Sequence, residues 1–394
     1  MRIAISGAGV AGTALAYWLH RTGHTPTVIE RAPAFRSGGY MIDFWGVGYT
    51  VARRMGLEAQ ILDKGYQIDS VRTVGADGHT LATLDTNVFR QLLGDDFTSL
   101  PRGDLADTIH ATVAEHVEMI YGDSITAVDQ DDTCVRLTFG HAGPREFDLV
   151  IGADGLHSNV RRLVFGPDAD FEHYLGCKVA AAVVEGYRPR DELAYVTYAV
   201  PDRQVSRVAL REDRTLALFV FRDASPDVSD PHAQVHNRFA DAGWECPQLL
   251  AAIDGQAGHT GGAEDLYFDV VSQVRMNHWS RGRVLLIGDA AGCISLLGGE
   301  GTGLAITEAY VLAGELHRAG GDHLRAFDAY EARLRPLIET KQSNAARLLG
   351  FFATRTRFGL WLRNLALRAM NLRMLTQLFA GTVRDDFDLP DYGI

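Results

Sequence analysis

The sequence predicts an α/β fold: a parallel-sheet domain, an inserted mainly antiparallel β-sheet domain and a C-terminal helical tail. Three observations carry that expectation. The first thirty residues run strand, glycine turn, helix, strand. Two later apolar runs each end in a carboxylate beside glycine, at Asp154-Gly155 and Gly288-Asp289. Between those two sites lie alternating apolar stretches with the period of strands rather than helices.

The first unit is the most specific. Arg2 to Ser6 reads as a short buried strand, and Gly7-Ala8-Gly9-Val10-Ala11-Gly12 follows at once. Thr13 to Arg21 reads as a helix with Leu15, Ala16 and Leu19 on one face; Gly23 closes it, and Thr25 to Glu30 is the second strand. This is a Rossmann-like βαβ unit of about 30 residues. Gly7 permits the tight turn, Gly9 admits a pyrophosphate close to the backbone, and Gly12 lets helix and strand approach. The N–H groups that open the helix, at Val10 and Ala11, face the phosphates. Glu30, at the end of the second strand, accepts the hydroxyl hydrogens of an adenosine ribose. It repels a 2′-phosphate, so FAD or NAD suits this position and NADP does not.

The later sites separate FAD from NAD. Phe147 to Ala153 reads as a strand running into Asp154-Gly155, and Arg283 to Ile287 as one running into Gly288-Asp289. Ligands of open α/β sheets sit beyond the carboxyl ends of such strands. Asp289 there reaches a ribityl hydroxyl. Gly299, Gly301, Thr302 and Gly303 lead a helix over Leu304–His317 toward a ring carbonyl or a phosphate. The positive end of that helix favours negative charge on a reduced flavin. Sites spread from Gly7 to Gly303 do not suit an NAD domain, which completes its site in one compact region.

Residues 1 to 345 resemble the class A flavoprotein monooxygenases, the para-hydroxybenzoate hydroxylase group. Four ordered blocks carry the resemblance: the GxGxxG, Arg102-Gly103-Asp104-Leu105, Asp154-Gly155 and Gly288-Asp289. It implies that Glu30 meets the adenosine ribose, Asp289 the ribityl chain and a nearby phosphate, and Arg102 the flavin. The Asp154-Gly155 block then supports FAD and a transient NAD(P)H site. Gly38 to Gly46 is similar to the flavin-facing loop of tetracycline-inactivating monooxygenases and their actinobacterial relatives, which implies flavin contacts at Gly39 and Asp43. Arg31 and Arg36 complete the cofactor candidates, with Arg36 either beside the adenosine half or an ordinary solvated surface arginine. The chain departs from the family pattern where Gly292 replaces histidine, Leu296 and Leu297 stand where proline is expected, Glu300 replaces glutamine and Gly303 replaces asparagine. Those changes touch the ring environment more than the binding glycines.

The resemblance implies an FAD-binding domain from 1–68, 101–168 and 276–345, a substrate domain from 69–100 and 169–275, and a helical region over 346–394. Strands are expected at Asp69–Val74, Lys178–Glu185, Ala194–Val200, Val205–Leu210 and Thr215–Phe221. In the family such a sheet covers the flavin. Phe44, Trp45, Phe219, Phe221, Leu296 and Leu297 are candidate substrate-lining residues, each with core packing as its ordinary alternative. Arg207 and Arg211 either reach a polar substrate group or lie on a solvated strand face.

The tail carries eight basic residues and no acidic one between Lys341 and Arg384, in a chain of net charge −12. A basic amphipathic helix at a membrane surface is one reading. Docking on the acidic body, walling one side of the substrate pocket, is the favoured one, because Arg363, Arg368 and Arg373 are spaced five apart and make no single stripe. The acidic balance argues against nucleic acid. The four cysteines are dispersed, with no disulfide framework or metal site, and no long apolar span occurs. The expected setting is cytoplasmic, as a monomer or weak homodimer.

No residue stands out as catalytic, as befits a cofactor that carries the hard chemistry. The expectation is an FAD-dependent monooxygenase using NAD(P)H and O2 on an apolar aromatic or polyketide-like substrate. Inactivation of a tetracycline-type antibiotic is implied by resemblance alone. A non-redox cyclase retaining FAD and a lipid-reducing flavoprotein are the alternatives; a Trp-x-Trp-x-Ile-Pro stretch, which a flavin halogenase needs, is missing.

Overall fold

Short strands that are apolar on both faces need cover on both sides, and they get it by pairing in parallel between helices. The computed structural model describes residues 1–35, 39–87, 96–255, 266–371 and 387–394. In chain order its strands are β1 (Arg2–Ser6), β2 (Thr25–Glu30), β3 (Met41–Trp45), β4 (Ser70–Val74), β5 (Thr80–Asp85), β6 (Phe97–Pro101), β7 (Glu118–Tyr121), β8 (Ile125–Gln130) and β9 (Val135–Phe139). They continue with β10 (Arg145–Phe147), β11 (Leu149–Gly152), β12 (Glu172–Glu185), β13 (Ala194–Val200), β14 (Arg203–Ala209), β15 (Arg214–Arg222), β16 (Tyr267–Val274), β17 (Ser280–Arg281) and β18 (Val284–Leu286). The α-helices are α1 (Val10–Arg21), α2 (Gly46–Arg54), α3 (Glu58–Lys64), α4 (Arg102–Ala111), α5 (Asn159–Val164), α6 (Pro231–Phe239), α7 (Cys246–Ile253), α8 (Asp289–Gly292), α9 (Gly301–Arg318), α10 (His323–Phe352) and α11 (Arg357–Met370).

The first sheet has the order β17-β18-β11-β1-β2-β7, with β18, β11, β1, β2 and β7 mutually parallel. Ile3, Ile5, Val150, Ile151, Leu285 and Leu286 are wholly buried in it. Helices α1 and α9 pack together, with the Trp18 ring edge-on to Tyr310. The carboxyl ends of β1, β11 and β18 therefore open on one side, at Ser6, Gly152 and Leu286. The second sheet, β16-β12-β15-β14-β13-β4-β5, is antiparallel except where β13 lies parallel to β4. A β10-β9-β8 meander and a β3-β6 pair complete the strands.

The α/β expectation holds, and the differences have local causes. The single strand expected over Phe147–Ala153 is interrupted at Asp148, whose carboxylate accepts from Arg2 N, so that β10 and β11 join different sheets. The expected flavin-facing loop contains strand β3, because Met41, Ile42 and Phe44 are buried and its register runs against β6. Arg207 is not solvated: its guanidinium forks onto Glu245 at 2.6 and 2.9 Å and reaches Asp191 at 2.8 Å. Arg211 stacks on Tyr66 and donates to the carbonyls of Lys64 and Gly65.

The tail helix α11 docks, but not on carboxylates. Arg363 donates to Gln204 Oε1 and Phe351 O, Arg368 to Leu81 O, and Asn371 joins Thr83 O and Asp85 N. Leu367 packs on Ala82 and Leu84. The seat is thus the edge strand β5, whose unpaired backbone groups supply acceptors that arginine can use. Arg36 and Arg373 lie outside the described residues.

Candidate cofactor and active site

A cavity of about 720 Å³ opens where β1, β11 and β18 end. Ser6, Gly7, Gly9, Val10, Ala11, Glu30 and Arg31 line one end of it. Asp154, Gly155, Asp289, Gly299, Gly301 and Thr302 also line it, as do Tyr40, Arg102, Tyr267 and Leu296. Ser6 to Ala11, Glu30, Asp154 and Asp289 are brought together because they sit at strand ends or helix starts on the same side of the first sheet, while Tyr40 and Arg102 arrive beside the β3–β6 pair and Tyr267 from β16 of the second sheet.

The glycine turn is shaped by packing at two positions and by access at the third. A Cβ on Gly7 would lie 2.6 Å from Ala153 O, and one on Gly12 would lie 2.0 Å from Gly7 O. No side chain fits at either. A Cβ on Gly9 would meet nothing within 4 Å. It would instead occupy the cavity at the start of α1, whose cap at Gly9 offers no side-chain acceptor. Free N–H groups beside space that only a missing Cβ leaves open make a cradle suited to a pyrophosphate. Glu30 stands at its edge, and each carboxylate oxygen takes one backbone N–H: Oε2 from Ala8 at 2.9 Å and Oε1 from Ala32 at 2.8 Å. Those bonds orient the carboxylate, and the remaining lone pairs can accept ribose hydroxyls.

Asp154 does something the sequence did not suggest. Its carboxylate accepts from Ser6 Oγ, Ser158 Oγ, Asn159 N and Val160 N. It ties the end of β1 to the start of α5, so its role within the cavity wall is to hold the turn. Burial pushes its acidity toward the protonated form despite these bonds.

Asp289 is open to the cavity yet surrounded by protein. Burial raises its pKa, and Arg102 opposes that. Arg102 opens α4, with its N–H bonded to Tyr40 O, and Gly39 packs against its side chain. The Tyr40 hydroxyl is pushed up to about 12 by burial, with Arg102 pulling it back, and Tyr267 is raised for the same reason. Both phenols stay protonated at neutral pH and can donate. Gly288, at φ +61°, gives its N–H to Glu308 Oε2, which also accepts from Tyr330. Glu308 is buried and its pKa rises to about 7, chiefly through desolvation.

Other expected residues sit elsewhere. Phe219 and Phe221 do not line this cavity: both are fully buried and pack edge-on against Phe239. Leu297 packs in a separate core with Val179, Val220 and Val271, while its neighbour Leu296 faces the cavity. Asp43, Phe44, Trp45 and Gly303 border a small neighbouring crevice. Asp43 accepts from Ser99 Oγ, and burial raises its pKa. Gly303 abuts Gly48, and it is Gly48 that close α2–α9 packing keeps bare, since a Cβ there would lie 2.4 Å from Gly303 Cα; a Cβ on Gly303 would lie 3.7 Å from Gly48 Cα, so packing does not account for the missing family asparagine. Gly292, by contrast, is set by packing, since a Cβ there would lie 2.8 Å from Ile338 Cγ2. Glu300 pairs with Lys341. None of α11 lines the cavity, contrary to the expected wall.

Several wall residues were missed. Tyr267 and Asp269 point the same way from β16, and Asp269 accepts or shares a proton with His157 Nε2 at 3.0 Å. That contact raises the His157 pKa. Cys293, also on the wall, is held strongly protonated by burial and by Asp289. The i, i+2 spacing of Tyr267 and Asp269 was the available signal, but no motif marks it.

Comparison with known proteins agrees with this arrangement. Residues 1–343 match a family model described as "FAD binding domain". An uncharacterised protein of Mycobacterium tuberculosis is 40% identical over 349 residues, 86% of this chain and 91% of that protein. A flavin-dependent monooxygenase from an unidentified prokaryote is 34% identical over 349 residues, 87% of each chain. The crystal structure of tetracycline destructase Tet(51) superposes with a TM-score of 0.83 at 29% identity, covering 99% of both chains. A matched family over most of the length, with a cradle of the right chemistry, makes this chain a member of the FAD-binding-domain family and, within it, of the flavin-dependent monooxygenases.

Proposed function

We propose that the protein uses NAD(P)H and O2 to hydroxylate an apolar aromatic or polyketide-like molecule, with a tetracycline-type antibiotic as the leading candidate. The observation that carries this reading is the continuity of one cavity, from the glycine cradle and Glu30 to a wall of Tyr40, Tyr267 and Leu296. Bound FAD supplies the redox chemistry: two electrons from NAD(P)H, one oxygen atom into the substrate and the other into water.

The chain's own groups bind and orient. The N–H groups of Val10 and Ala11 hold the pyrophosphate, Glu30 the ribose, and Asp289 the ribityl hydroxyls. Arg102 would meet bound flavin, and the start of α9 at Gly301 and Thr302 would offer its positive end to the ring. Tyr40, Tyr267 and Leu296 offer a mixed aromatic and aliphatic face that excludes water, with the Tyr267 hydroxyl donating to Asp269 Oδ2 at 3.5 Å and the Tyr40 phenol able to donate to a substrate oxygen. The similarity to a tetracycline destructase supports the substrate class.

The test is turnover of tetracycline by the purified protein with NAD(P)H under isotopically labelled O2. The expected product is heavier by one labelled oxygen atom. Product formed without reductant or O2, and with no mass gain, identifies a cyclase and overturns the reading.

A further inference from the structure

In α11, Phe358, Trp361, Leu362 and Leu365 fall at i, i+3, i+4 and i+7, which puts them on one stripe. That stripe faces outward: the four residues are 70%, 58%, 51% and 48% exposed. The opposite face is seated on the inserted sheet through Arg363 and Leu367, with Arg368 and Asn371 bonded to β5. Those anchors stop the helix rolling to bury its apolar side. Phe358 and Trp361 stack with ring centroids 5.7 Å apart, so the aromatic pair is preformed. Leu348 and Phe351, near the end of α10, are exposed as well. Single exposed apolar residues are ordinary, but a contiguous patch of this kind marks an interaction surface.

Charge selects the partner. Arg347, Arg355 and Arg357 are exposed close by in sequence, and the stretch from Lys341 to Arg384 holds no acidic residue although the whole chain is strongly acidic. A second copy using the same face would bring two basic patches together with no acidic residue from this stretch to pair them, a like-charge juxtaposition that opposes association. An anionic lipid surface satisfies both components: Trp, Phe and Leu enter the headgroup boundary while arginines meet the phosphates. We propose that the outer face of α11 docks the protein on an anionic membrane surface. The docking expected from the arginine spacing holds, with Arg363 and Arg368 engaged in it, and the apolar stripe is what faces out.

The experiment uses FAD-loaded protein and vesicles of phosphatidylcholine alone or mixed with phosphatidylglycerol. Co-sedimentation with the mixed vesicles is expected to exceed that with phosphatidylcholine by about tenfold at low salt, with a blue shift in tryptophan emission that Trp361→Phe removes. The triple variant Phe358→Ser, Trp361→Ser, Leu365→Ser should lose sedimentation while keeping its FAD affinity. Arg355→Glu with Arg357→Glu, outside the apolar stripe, should weaken it too and covers the case of a misfolded triple variant. Equal sedimentation of wild type with and without phosphatidylglycerol, or none with either, overturns the proposal. So does a concentration-dependent dimer that the triple variant abolishes.

Discussion

The glycine turn of residues 7–12 and the helix α11 sit near opposite ends of the chain and obey different kinds of constraint. In the turn, each residue is dictated by something within a few ångströms: Gly12 by a carbonyl, Gly7 by the neighbouring strand end, Gly9 by open space. Helix α11 is dictated by a period alone, and a period does not say which face turns inward. One region carries its answer in residue identity, while the other acquires it only when a partner surface is present.

Substitutions that add one methyl group break the comparison most directly. Gly12→Ala places a Cβ 2.0 Å from backbone and should cost about 3 kcal/mol or more in urea unfolding of the FAD-free protein. Gly9→Ala should leave that stability within about 0.5 kcal/mol and instead weaken FAD binding by titration. Equal losses in both assays for both variants would erase the distinction between packing and access.

Glu308 sharpens it, as a buried residue that holds a motif yet belongs to none. Its folded pKa of about 7 lies above the ordinary carboxylate value of 4.5, so the folded state binds the extra proton between those values. Stability from this group is therefore present at low pH and is lost as pH rises through 7. Glu308→Gln should match wild type near the lower end and be more stable at higher pH by on the order of 3 kcal/mol. A pH-independent difference would show that the carboxyl is already ionised at the acid end.

Asp289→Ala should weaken FAD binding by about 2 kcal/mol, through lost charge-assisted hydrogen bonds. Unchanged affinity would move the ribityl contact elsewhere. In α11 the two faces should separate: Leu367→Ala is expected to cost about 2 kcal/mol of stability, and Trp361→Ala no more than about 0.5. A large loss at Trp361 would mean that the stripe is covered within the protein.

Legibility follows the same division. β1 and β2 begin and end at the residues expected, because an apolar run meeting glycine leaves little choice. Strands β4, β12, β13, β14 and β15 of the inserted sheet are legible from their apolar pattern, but β5 and β16 are not, nor are the faces. Phe219 and Phe221 read as possible cavity residues and are core, since the next element, α6, folds back to place Phe239 against them. Arg207 read as either substrate-facing or solvated and is neither, being buried because Glu245 and Asp191 arrive from two other segments. Tyr267 and Asp269 were overlooked because a strand residue becomes a wall residue only when another domain closes over it.

By itself the sequence determined the βαβ unit, the order of three glycine–carboxylate turns and hence an FAD-binding α/β chain, because backbone sterics and helix-end electrostatics act over a few residues. Only the tertiary structure decided that Asp154 ties a turn, that Glu308 holds Gly288, that Tyr40 and Tyr267 form the far wall, and that α11 turns its aromatic stripe outward. Those outcomes depend on which distant surface arrives at a side chain, and burial, desolvation and hydrogen-bond partnership are properties of that encounter rather than of the local chain.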